Sequence, residues 1–157
     1  MSRIYLDVCC FNRPFDDQTQ SRIRVETEAV LAILERCERG EWVLIISEMV
    51  ETEVAQIADQ ERRKNIEDAM LMAQDHVLVD DVVLSRGEVL QDLGFQGFDA
   101  IHIACAEIAQ VDVFLSTDDR LLRKAVQNQD ILSICVQNPA VWLISTLKAE
   151  ELDHDSD

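Results

Sequence analysis

Five short apolar runs, each handing over to a stretch with helical spacing, restrict this chain more than any other feature. Residues 3–8, "EWVLIIS", "HVLV", "VDVFLST" and "ILSICV" read as strands. From Ser21 to Arg39, Ile23, Val30, Ile33, Leu34 and Cys37 recur at helical spacing, and Gly40 stops the run. "EMVETEVAQIAD", a segment over about 61–74, "LSRGEVLQDLG", "FDAIHIACAEIA" and "DDRLLRKAVQ" read as further helices. "NPAVWLISTLKAEEL" closes the chain as a helix, with Asn138 as cap and Pro139 at its first position. "NRPFDDQTQ" reads as a loop. Apolar strands alternating with helices predict an α/β protein whose parallel sheet is covered on both faces. In such sheets ligands gather at the carboxyl ends of the strands.

The chain has 157 residues, 48% of them apolar, which suits one compact domain with a substantial core. That domain is expected over residues 1–148, with 149–157, "AEELDHDSD", as an acidic, flexible, solvated tail. No run approaches the ~20 uncharged apolar residues of a membrane span, and no basic flank leads into an apolar signal region. The expectation is a soluble cytoplasmic protein with no membrane partner. Cysteines at 9, 10, 37, 105 and 135 are odd in number and include no C-x-x-C pair. They predict reduced thiols rather than a disulfide framework or zinc ribbon. The net charge of −17 weighs against a nucleic-acid partner, because phosphate binding usually leaves a basic footprint. Part of that charge lies in the tail, and a bound metal would neutralise part of the rest.

The acids are placed non-randomly. Asp7 ends the first strand, Glu53 lies early in the helix after the second, Asp99 opens the apolar helix, and Asp118 and Asp119 follow "VFLST". Around a helix at ~100° per residue, Met49, Val50, Val54 and Ile57 form one face. Glu53 falls inside that face, Glu51 at its margin and Glu48 well off it. A glutamate facing inward must be paired, protonated or bound to a cation. Taken singly, Asp7, Asp99 and Asp118 or Asp119 have a plain structural role as helix caps. Converging without bases, these carboxylates would repel one another, and a divalent cation removes that repulsion. All-oxygen donors select Mg²⁺ or Mn²⁺ over zinc.

In this order, the segments resemble the PIN-domain nucleases, including the VapC-type ribonuclease toxins of bacterial toxin–antitoxin modules. "IYLDVCCF" resembles that family's first strand and first aspartate. "ISEMVETEV" is similar to its segment with a serine and, six residues on, a glutamate. "FDAIHIACA" resembles its "DA-x-x-x-A" helix and "FLSTDDRLL" its "T-x-D" segment. The resemblance spans positions 3 to 122 and implies a three-layer α/β/α sandwich with a short central parallel sheet. It also implies a catalytic quartet Asp7, Glu53, Asp99 and Asp119, with Asp118 as the adjacent substitute ligand, holding Mg²⁺ or Mn²⁺ for RNA cleavage. A small antitoxin protein and a homodimer are the partners it implies. Where the family often carries a small hydroxyl or amide residue after the first aspartate, this chain has Cys9 and Cys10, leaving Asn12 to support Asp7 from the loop.

Arg120 and Lys124, beside Asp119, and Arg13 in the first loop are candidate phosphate-binding residues, with a solvated face as the alternative. "ERRKN" carries the same two readings. His102, three residues after Asp99, either orients a carboxylate or is a satisfied structural histidine, while His76 and His154 have no partners at metal spacing. An aspartyl-phosphate phosphatase would need an acid where Cys9 stands. A phospho-accepting receiver would need a lysine after the last strand, and "ILSICVQNP" has none. The remaining competitor is a non-catalytic PIN-like interaction module, the reading that the net charge favours.

Overall fold

The computed structural model describes residues 1–155. Strands β1 (Arg3–Leu6), β2 (Val43–Ser47), β3 (Asp75–Val77), β4 (Val113–Leu115) and β5 (Cys135–Gln137) form one sheet in the order β3-β2-β1-β4-β5. Every pairing is parallel. Eight α-helices flank it among the described residues: α1 (Val8–Asn12), α2 (Ser21–Glu38), α3 (Glu48–Ala55), α4 (Gln60–Met70), α5 (Asp81–Asp92), α6 (Gly97–Ile108), α7 (Asp119–Gln127) and α8 (Pro139–Asp155). This is the α/β sandwich that the alternation predicts.

The centre of the sheet explains why its strands are apolar throughout. Ile4, Tyr5 and Leu6 of β1 are fully buried, as are Leu44 and Ile45 of β2 and Val113, Phe114 and Leu115 of β4. Each such side chain contributes roughly 1.5–3 kcal/mol on leaving water. Tyr5 pairs in register with Phe114, and their rings stack at 5.2 Å between centroids. The chain runs from β1 to β2 on one side, and β4 returns to the other side of β1. The switch in strand order therefore lies between β1 and β4, where open parallel sheets form their ligand crevice. Asp7 and Asp118 follow the carboxyl ends of those two strands.

Local signals set the helix ends. Gly40 follows α2 with φ of +79°, and its N–H bonds to Cys37 O, closing the helix in a conformation that suits glycine. Asn138 caps α8 as expected, its Oδ1 accepting from Ala140 N–H at 2.8 Å.

Three segments depart from the sequence reading. Val8, expected to end the first strand, opens α1, and residues 12–15, expected as loop, complete it and form a 3₁₀ turn over Arg13–Phe15, because Asp7 caps the start of α1 through Val8 N–H. The helix expected over 48–59 stops at Ala55, and Asp59 caps α4 by accepting from Arg62 N–H. The closing helix, expected to reach Leu152, runs on to Asp155; residues 149–155 are exposed, with Glu150 held by Arg36 through two bonds of 2.6 and 3.0 Å. The last two residues of the expected tail, Ser156 and Asp157, lie outside the described residues.

Candidate active site

Asp7 leaves β1 with its backbone still in the ladder, its N–H bonded to Leu115 O at 2.9 Å. Its side chain is 7% exposed and takes only neutral donors. Oδ1 accepts from Val8 N–H at 2.9 Å, and Oδ2 accepts from the Ser116 hydroxyl at 2.9 Å and the Cys9 thiol at 3.4 Å. Burial pushes its carboxyl above the ordinary aspartate range, with the Ser116 hydroxyl working against the rise. The support expected from Asn12 comes instead from Ser116. The Asn12 amide bonds to Val8 O, and its carbonyl receives Arg62. Cys10 is fully buried, and burial pushes its thiol well up, away from the reactive thiolate.

Asp99 lies in the first turn of α6, half-buried. Its carboxyl is pushed up to about 6, first by burial and then by the charges of Asp7 and Asp118, with Glu53 adding to them. Asp7, Asp118, Glu53 and Asp99 thus share one electrostatic neighbourhood. Glu53, on α3, is half-buried as its helical phase requires, while Glu48 and Glu51 are exposed. Its Oε1 meets Nε2 of the fully buried His102 at 2.5 Å. His102 answers to both sequence readings: it meets a carboxylate through Nε2, and with Tyr5 on Nδ1 it is also a buried histidine with both nitrogens satisfied. His76 pairs with Glu51 at the surface.

The structure separates the two adjacent aspartates. Asp118 caps α7, accepting from Arg120 N–H at 2.9 Å, and is among the charges that raise Asp99. Asp119 is held instead by Arg22 through two bonds of 2.7 Å, which keep its carboxyl below the ordinary range. The "T-x-D" spacing favours Asp119; in the structure the guanidinium of Arg22 engages Asp119, while Asp118 is the one of the pair whose charge acts on Asp99.

Arg120 and Lys124, two of the candidate phosphate binders, line a cavity of about 230 Å³ together with Asp99, Phe95 and Gln96. Gly94 shapes its rim. With φ of +108° and the Lys124 ammonium only 2.9 Å from where a Cβ would stand, this position accepts glycine alone without strain. Arg13 is not among the residues lining this cavity: its Nε is bound to Glu26 and its Nη1 to Asp16, both at 2.9 Å. Arg62 likewise bonds to Asn12, Asp16 and Phe15 O. Ser116 and Tyr5 escaped the sequence reading. Ser116 carried a usable signal, standing directly after β4 and before the T-x-D segment.

Among the described residues, no three histidine, cysteine, aspartate or glutamate side chains stand close enough together to enclose one ion. The donor chemistry nonetheless fits a hard cation. The donors are all oxygen, the charges of Asp7, Asp118 and Glu53 add to the burial that raises Asp99, and Asp7 accepts only from neutral donors. Mg²⁺ is ordinarily held by one or two carboxylates while keeping several waters, which a spread group of this kind suits.

Comparison with known proteins bears on the fold and the family. The PIN-domain family model matches residues 4–127. Thirteen chains of solved structures match. One is FitAcB from Neisseria gonorrhoeae, at 16% identity and TM-score 0.58, covering 87% of this chain and 97% of that one. Another is VapBC2 from Rickettsia felis, bound to a DNA fragment from their promoter, at 12% identity and TM-score 0.54, covering 87% and 98%. At these identities the likeness shows the fold. No curated protein matches. PIN domains are generally nucleases, and with most of its length matched, this chain belongs to the PIN-domain family.

Proposed function

We propose that this chain is a metal-dependent endoribonuclease, the toxin of a toxin–antitoxin pair. The observation that carries the reading is the carboxylate group at the β1/β4 switch point, where burial, and after it the charges of Asp7 and Asp118, push Asp99 up to about 6 beside two cationic side chains. Asp7 and Asp99 would hold Mg²⁺ or Mn²⁺, with Glu53 and Asp118 reaching it directly or through water. When bound, the ion supplies a hydroxide nucleophile near neutral pH and offsets charge on the phosphoryl oxygens.

The remaining work falls to the chain. Arg120 and Lys124 hold the RNA phosphate in the cavity next to Asp99, setting the scissile bond against the acids. Ser116 and the backbone of Val8 keep Asp7 oriented while it stays largely out of water. No serine or histidine nucleophile is needed. RNA is the substrate expected from the family likeness. A small antitoxin, a homodimer and a cytoplasmic setting accompany this reading, supported by the fold shared with VapBC2 and FitAcB.

The net charge of −17 favours a second reading, a PIN-like interaction module without catalysis. RNA cleavage assayed with and without Mn²⁺ separates the two, and a Mn²⁺ titration followed by thermal unfolding supports the assay. Cleavage that requires Mn²⁺, with a rise in Tm, is expected. Neither cleavage nor a Tm shift would leave only the interaction module.

A further inference from the structure

Behind Glu53 a line of hydrogen bonds crosses the core. Glu53 Oε1 meets His102 Nε2 at 2.5 Å, and His102 Nδ1 meets Tyr5 Oη at 2.6 Å. Tyr5 Oη meets Ser47 Oγ at 2.6 Å, and Ser47 Oγ accepts from Val50 N–H at 3.2 Å. Tyr5, Ser47 and His102 are each fully buried. They come from β1, β2 and α6, and only the Glu53 end reaches the site. A purely apolar core would be simpler, because each buried polar atom must find a partner.

The carboxylate end sets which way the protons run. An ionised Glu53 can only accept, so the neutral ring gives it the Nε2 proton and leaves Nδ1 to accept from Tyr5. Tyr5 has then given its only hydrogen and accepts from Ser47 Oγ, which also accepts Val50 N–H. The reverse direction would place a bare Nε2 against a carboxylate, two acceptors in contact, unless the buried ring took a second proton where charge is costly.

We infer that Tyr5, Ser47 and His102 form a positioning brace, which sets His102 as the Nε2–H tautomer and holds Glu53 at the mouth of the site. Glu53 gives Oε1 to the brace, so Oε2 is the atom offered to a cation. This rests on the metal reading above for its purpose, but not for its proton order. A histidine whose second nitrogen is bound by a fixed partner is a familiar way to orient a ligand. Here the histidine orients a carboxylate and stands one residue back from the ion. His102 and Tyr5 are thus positioning residues that touch neither substrate nor metal.

Two measurements test the brace. Nitrogen-15 NMR of the metal-free protein should find His102 Nε2 protonated and Nδ1 bare, as the line of bonds requires. Mn²⁺ affinity, by calorimetry, should fall roughly tenfold in Tyr5→Phe and in Ser47→Ala. It should return in Ser47→Thr, which keeps the hydroxyl and the helix cap. The folded fraction of each variant is read by circular dichroism, and the Thr variant guards against Ser47→Ala simply losing its cap. A protonated Nδ1, or Tyr5→Phe binding Mn²⁺ as tightly as the parent, overturns the brace. If the parent protein binds no Mn²⁺, the metal reading fails instead, and the proton position alone then decides the brace.

Discussion

Two buried acids lie near the carboxyl edge of the sheet and differ in one respect. Glu26 is 2% exposed and Asp7 is 7% exposed. Glu26 is met by Arg13 at 2.9 Å, by Arg22 at 3.3 Å and by the Asn138 amide at 2.6 Å, so positive charge surrounds it. Asp7 has a hydroxyl, a thiol and one backbone N–H, and no cation of its own. Burial alone therefore does not mark a functional carboxylate. What distinguishes the site is that burial comes without a built-in cation, which leaves the charge for something else to neutralise.

The largest effect is expected where no cation is built in. Asp7→Asn and Asp99→Asn should each lower metal-dependent RNA cleavage by roughly 10²–10³-fold, the scale for removing one preorganised charge-stabilising group. Their Tm without metal should hold or rise, because each change relieves repulsion. Full activity in both would break the comparison.

Glu26→Ala should do the opposite. It leaves Arg13, itself half-buried, facing no glutamate, and should cost about 3 kcal/mol of stability in urea unfolding. Metal affinity should stay near the parent value. A stability loss under ~1 kcal/mol would mean that the arginine cluster is only decoration.

The pH response is the next test. A carboxyl raised from 3.8 to about 6 holds its proton more tightly folded than unfolded. Stability then falls as pH rises between those values, since the folded state binds more protons there. The metal-free protein should lose Tm between pH 4 and 6 for this reason. Asp99→Asn should flatten that part of the curve, and Mn²⁺ at pH 7 should recover the lost Tm. A parent curve that is flat or rising over this range, unchanged in Asp99→Asn, would contradict the assignment.

The smallest effect sharpens the choice between neighbours. Asp118→Asn keeps a good helix cap but removes a site charge, and should cut cleavage about tenfold. Asp119→Asn loses only its exposed pair with Arg22, a kind of pair that is weak in water, and should leave cleavage within about twofold of the parent. The reverse order would favour Asp119 as the site acid.

Some of this was readable from residues alone because the cause was local. Leu6 meeting Asp7 is an apolar run ending on an acid, and a strand end follows from that adjacency. Glu53 fell on the inward face of α3 by helical phase, and it is half-buried while Glu48 and Glu51 are exposed. Asn138 and Pro139 announced α8. The short helix α1 was not readable, because "VCCFN" has neither the length nor the periodicity to be recognised, and the Asp7 cap that starts it also looked like a ligand. For His102 the sequence allowed two roles and offered nothing to separate them.

The order of strands and helices and the list of acids near their ends were determined by the sequence itself, since both arise from spacing and polarity within a few residues. Which acids stay without a cation was decided only in three dimensions. Arg22 lies 97 positions from Asp119, and Ser116 lies 109 from Asp7, yet these contacts set which carboxylate is neutralised and which is merely held. Charge acts through space, and neighbours along the chain carry no record of it.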